Sequence, residues 1–95
     1  MIRIMTASKR NGTIVTVDGL VVGEYVETID AVVKQAFGQG RPVHLYLRDV
    51  ATIDEQGRAL LARLASKGVH LRATGVYSSY LVAEINRSVL GAKAA

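Results

Sequence analysis

Apolar positions change period several times along this chain, and each change marks an element. Residues 2–7 and 13–17 alternate or run β-branched, and Asn11-Gly12 stands in the short polar stretch between them, which predicts an antiparallel β-hairpin. From residue 23 to 37 the period lengthens. Val22, Val26, Ile29, Val33 and Phe37 recur every three or four positions, Val32 and Ala36 widen the stripe, and Glu24, Glu27, Asp30 and Lys34 fall on the other side. This is an amphipathic helix that Gly38 and Gly40 should end.

Pro42 forbids continuation, and Val43, Leu45 and Leu47 then alternate with His44 and Tyr46 as in a strand whose two faces are both at least partly covered. Leu60, Leu61, Leu64 and Ala65 form a second helical stripe, closed by Lys67 and Gly68. Residues 69–73 read as another strand. Residues 77–87 read as a last helix, with Tyr80, Leu81, Glu84 and Ile85 at helical spacing.

The order is β-β-α-β-α-β-α, which needs crossover connections and hence an α/β fold: a mixed sheet of about four strands with helices packed on it. A chain of 95 residues with 49% hydrophobic content supports one such domain, over residues 1–90, with 91–95 expected to be a frayed tail. A domain this small has few apolar residues to spare for a deep substrate cavity.

Where the first strand-to-helix junction after Pro42 falls, Asp54 stands as a helix N-cap able to accept from the N–H of Gln56 or Gly57, and Glu55 adds charge at the positive end of the helix dipole. Gly57 is the anomaly. Glycine inside a first turn costs about 1 kcal/mol relative to alanine, so something must approach closely: a partner's backbone, or a neighbouring strand of the same domain.

Taken with the order of elements across about 90 residues, the segment Leu45-Tyr-Leu-Arg-Asp-Val-Ala-Thr-Ile-Asp54-Glu-Gln-Gly57-Arg-Ala-Leu-Leu61 resembles the STAS domain of bacterial anti-sigma-factor antagonists. In that family a strand leads to an Asp-Ser-Ser/Thr-Gly turn at a helix start, where a kinase phosphorylates the hydroxyl before the glycine. The resemblance implies a regulatory, non-enzymatic protein-interaction module. Its contact residues would be Thr52, Asp54, Glu55, Gln56, Gly57 and Arg58, the glycine letting the partner come close.

Three departures alter that picture. Gln56 occupies the phosphoacceptor position and Glu55 the preceding serine, so this turn has no hydroxyl to phosphorylate. An uncharged glutamine is a poor substitute for a phosphate, which adds about −1.5 to −2. Tyr46 also stands where the family often has a strand aspartate. Thr52, Ser78 and Ser79 are the displaced hydroxyls to consider, although Thr52 suits a strand end and the two serines suit N-caps. Tyr77 or Tyr80, on a strand-to-helix corner expected beside the Asp54 turn, could add an aromatic anchor.

The resemblance names as partner an anti-sigma factor with serine kinase activity. It also leaves open an accessory subunit of a lipid-handling ABC transporter, or a sensor holding a nucleotide or acyl chain between helix and sheet.

Other chemistry is thin. Without cysteine there are no disulfides or thiolate sites. His44 and His70 lie in separate strands with no further donor at ligand spacing, so neither a metal nor a cofactor is expected. A triad of Ser66, His70 and Asp54 has no supporting spacing, and Gly12, Gly19, Gly23, Gly38 and Gly40 do not form a phosphate loop. The net charge of +4 comes from Lys and Arg residues scattered along the sequence, and aromatics are 5%, so nucleic-acid binding is not expected. No secretion signal or run of ~20 apolar residues is present, which points to a cytoplasmic protein without membrane insertion.

Overall fold

The computed structural model describes residues 2–94, the side chains of 89–94 apart. Its elements follow the expected order: β1 (Ile2–Lys9), β2 (Gly12–Val21), α1 (Gly23–Phe37), β3 (Val43–Ile53), α2 (Glu55–Ser66), β4 (His70–Ala73) and α3 (Val76–Ala94). The four strands lie in the sheet in chain order, β1-β2-β3-β4. β1 and β2 are antiparallel, whereas β2–β3 and β3–β4 are parallel, so the sheet is mixed.

The hairpin is longer than the hydrophobic pattern implies, with Lys9 paired to Gly12 and only Arg10 and Asn11 between them. Gly12 has φ +141° and a Cβ there would lie 2.4 Å from the Pro42 carbonyl oxygen, so the turn is cut to glycine. β3 also outruns its expected end at Leu47. Thr52 and Ile53 still pair with Leu20 and Val21, with register shifts along the way that a simple alternation does not reveal.

One layer of helices covers one face of the sheet. Val15, Val17 and Val21 of β2, Val43, Leu45, Leu47 and Ile53 of β3 and Leu71 of β4 pack against Ile29, Val33 and Ala36 of α1, Leu60, Leu61 and Leu64 of α2, and Leu81, Val82 and Ile85 of α3, in a single cluster. Ile4, opposite Val17, extends it partly onto β1.

The other face carries Ile14, Thr16, His44, Tyr46, His70 and Arg72, and none of these belongs to the core. The expectation that both faces of β3 are at least partly covered holds: Val43, Leu45 and Leu47 are buried under the helices, and His44 and Tyr46 are half-buried on a face that carries no core residue.

The backbone of residues 91–94 continues α3, and residue 95 of the expected frayed tail lies outside the described residues. Ala92, Lys93 and Ala94 are good helix formers, enough to carry the single Gly91. The radius of gyration, 12.4 Å, is that of a close-packed domain of this length. No described helix is long and apolar enough to cross a membrane.

A one-sided core makes unequal demands on neighbouring strand positions. Leu45→Ala should lower the unfolding free energy by about 2–5 kcal/mol, and Thr16→Ala, on the open face, by less than about 1 kcal/mol. Urea unfolding followed by circular dichroism measures both.

Candidate functional site

The junction of β3 and α2 is built around one carboxylate. Oδ1 of Asp54 accepts from the Gly57 N–H at 2.8 Å, the N-cap expected from the sequence. Its second oxygen does something the sequence did not reveal. Oδ2 accepts from the N–H of Gly23 at 3.0 Å, the first residue of α1.

Val22 precedes that helix and its apolar side chain provides no cap, so Asp54 caps two helices at once. The Asp54 N–H donates in turn to the Val21 carbonyl at 3.2 Å. Hydrogen bonds from the Gly57 and Gly23 N–H groups hold the Asp54 carboxyl below the usual carboxylate range.

Gly57 is buried, and a Cβ built on it would lie 2.0 Å from the Val21 carbonyl oxygen. The close approach inferred from the glycine is therefore made by the chain's own β2. This corrects the expectation that Gly57 touches a partner. Asp54 is half-buried with both oxygens engaged internally, so it too serves the corner's geometry first.

What the corner offers outward is the side chains of Thr52, Glu55, Gln56 and Arg58, all exposed. Gln56 folds back over the start of α1, its Oε1 only 2.0 Å from where a Cβ of Gly23 would be. Arg58 reaches Glu84 of α3 at 3.8 Å, a surface pair of little energetic weight.

Helix α3 supplies the other wall. The Tyr77 hydroxyl donates to the Ile53 carbonyl at 3.1 Å, which puts the two strand-to-helix corners side by side as expected. Between them runs a groove of about 320 Å³ lined by Ile53, Glu55, Arg58, Tyr77, Tyr80 and Glu84, among others. Beside it Val76, Tyr77 and Tyr80 are 92%, 51% and 68% exposed. These are three of the large apolar or aromatic side chains that the fold leaves exposed.

The remaining candidates separate. Ser78 and Ser79 are not N-caps: α3 begins at Val76, so both lie in its first turn. Ser78 is buried and donates to the Val50 carbonyl at 3.2 Å, while Ser79 donates to the Ala73 carbonyl at 3.1 Å. Thr52, in the last turn of the β2–β3 ladder, remains open to solvent. Asp54 and Ser66 sit at opposite ends of α2, so the triad does not assemble.

His44 and His70, by contrast, come together. They are directly paired across β3 and β4, with rings stacked 4.9 Å apart and 22° from parallel. Among the described residues no group of three or more His, Asp or Glu side chains converges. Neither models of known protein families nor curated proteins match this chain.

Two consequences can be measured. Gly57→Ala should cost about 1–3 kcal/mol of stability, because the added methyl meets a carbonyl held in the sheet. Denaturant titration reads it.

Asp54→Asn should also be less stable at neutral pH, since an amide that accepts from Gly57 turns an NH2 toward the Gly23 N–H. Because the folded carboxyl titrates below its unfolded value of about 3.9, its contribution is complete above that value and is lost as pH falls through the folded one. The stability gap between wild type and Asp54→Asn should therefore close in acid, although both lose stability through Asp18, likewise held low by Arg48. Thermal unfolding between pH 2 and 7 tests this.

Proposed function

We propose that this chain is a non-enzymatic regulatory protein-interaction module of the anti-sigma-factor-antagonist kind. Its partner docks on the corner between β3 and α2 and on the neighbouring start of α3. One observation carries the reading: Glu55, Gln56 and Arg58 stand exposed at a rigid helix start, beside Val76, Tyr77 and Tyr80, which are also in water.

This combination suits binding more than chemistry. Aromatic anchors supply much of the energy at protein interfaces, and surrounding polar side chains set which partner fits. The corner's backbone is already fixed by Asp54 and Gly57, so little ordering entropy is lost on association.

Regulation in this reading does not pass through phosphorylation of the turn. Gln56 has no hydroxyl, and its side chain already lies over Gly23. The module therefore binds constitutively, or answers to an input elsewhere. A partner with an anti-sigma-factor kinase fold is favoured by the resemblance of the Asp54–Gly57 turn, and the same surface would serve a transporter subunit.

The partner captured from native lysate by the tagged chain, identified by mass spectrometry and then purified, provides the test. Tyr80→Ala should weaken its binding by about 2 kcal/mol, roughly thirtyfold in Kd, and Gln56→Arg should weaken it as well. Equal binding by wild type and both variants removes the corner as the docking surface. A kinase partner should transfer phosphate to Gln56→Ser but not to residue 56 of the wild type.

A further inference from the structure

The open face of the sheet holds a second site that shares no residue with the corner. The end of the β1–β2 hairpin rises beside it and encloses a hollow of about 690 Å³, within the ordinary range of ~300–1,000 Å³ for small-molecule sites. Ile14, His44 and Tyr46 line it together with Lys9, Arg10 and Arg72.

Its charge is one-sided. No carboxylate lines the hollow, and among the described residues none of the three cations has an acidic side chain within ion-pairing distance. Lys9 and Arg72 are 63 positions apart in sequence, yet β-pairing and the hairpin bring all three cations to the lining of one hollow. Three cations without an acidic partner line one concavity, and a bound polyanion would pair with them.

The lining also includes flat side chains. Tyr46 and His44 are half-buried, and His44 is backed by the stacked ring of His70. Rings on an open sheet face can stack on a planar ligand.

Along the strands the positive character stops. Farther up the same sheet Arg48 is paired with Asp18 through two hydrogen bonds, and exposed Asp49 follows. An extended polyanion would leave the cationic zone within a few residues, so the charge pattern fits a compact ligand better than a strand of nucleic acid.

We propose that this hollow binds a small molecule that joins a planar ring to two or more phosphate groups, the ring against Tyr46 and His44 and the phosphates on Lys9, Arg10 and Arg72. Nothing in this assignment depends on the docking role of the corner.

Isothermal titration of the full chain tests it with four probes: ATP, inorganic tripolyphosphate, adenosine and a single-stranded oligouridylate. ATP should bind at one site, about tenfold more tightly than tripolyphosphate because of the ring, and adenosine should bind much more weakly than either. Arg72→Glu and the double variant Lys9→Glu, Arg10→Glu change exposed side chains, so circular dichroism should be unaltered while ATP affinity falls about tenfold or more. Tyr46→Leu should bring ATP down to the level of tripolyphosphate.

No saturable ATP binding at millimolar concentration overturns the proposal, as does binding that ignores the charge reversals. Tripolyphosphate binding as tightly as ATP overturns the role of the rings. Oligouridylate binding more tightly than ATP overturns the compact ligand in favour of a strand-binding surface.

Discussion

Two parallel crossovers that step in the same direction govern this molecule. A strand–helix–strand connection is right-handed almost without exception, and here β2, β3 and β4 succeed one another across the sheet. Helices α1 and α2 must then land on the same face. The core is consequently one-sided, the opposite face is left without a helical layer, and the strand-to-helix corners after β3 and β4 gather at one end of the sheet. The groove between the corners and the basic hollow are both by-products of that arrangement, one beside the C-terminal ends of the parallel strands and the other next to the hairpin.

Within this frame Asp54 does more than begin a helix. Its two carboxylate oxygens join the first turns of α1 and α2, and its N–H fastens the same point to β2. Gly57 completes the joint by leaving room for the Val21 carbonyl. Asp54 and Gly57 are also the two positions that this turn has in common with the Asp-Ser-Ser/Thr-Gly pattern, and both have an internal duty. The two positions that differ, Glu55 and Gln56, are the exposed ones. The shared part of the pattern thus serves the architecture, and the divergent part faces solvent.

The periodic part of the fold was legible. The stripes of α1 and α2, the alternation at the start of β3 and the cap at Asp54 each arise from residues close together in sequence, where pattern rules operate. Most of the misses were non-local. A register cannot be read from a single strand, so the stacking of His44 on His70 was invisible, as was the placing of Lys9, Arg10 and Arg72 around one hollow. Cations that look dispersed along a sequence can converge once strands pair. At Gly57 a glycine in a first turn implies a close approach, but only the sheet order reveals that the Val21 carbonyl of β2 makes it. For α3, helical spacing placed the start within one residue of Val76, whereas the two serines read as N-caps lie inside its first turn and use both hydroxyls there.

The tight seat of Gly57 against Val21 has a consequence for how such a chain can diversify. Because main-chain position at this joint is dictated from within, exchanges at residues 55, 56 and 58 alter the chemistry displayed without moving the platform beneath it. The surface chemistry of this corner is therefore free to vary while the architecture stays still.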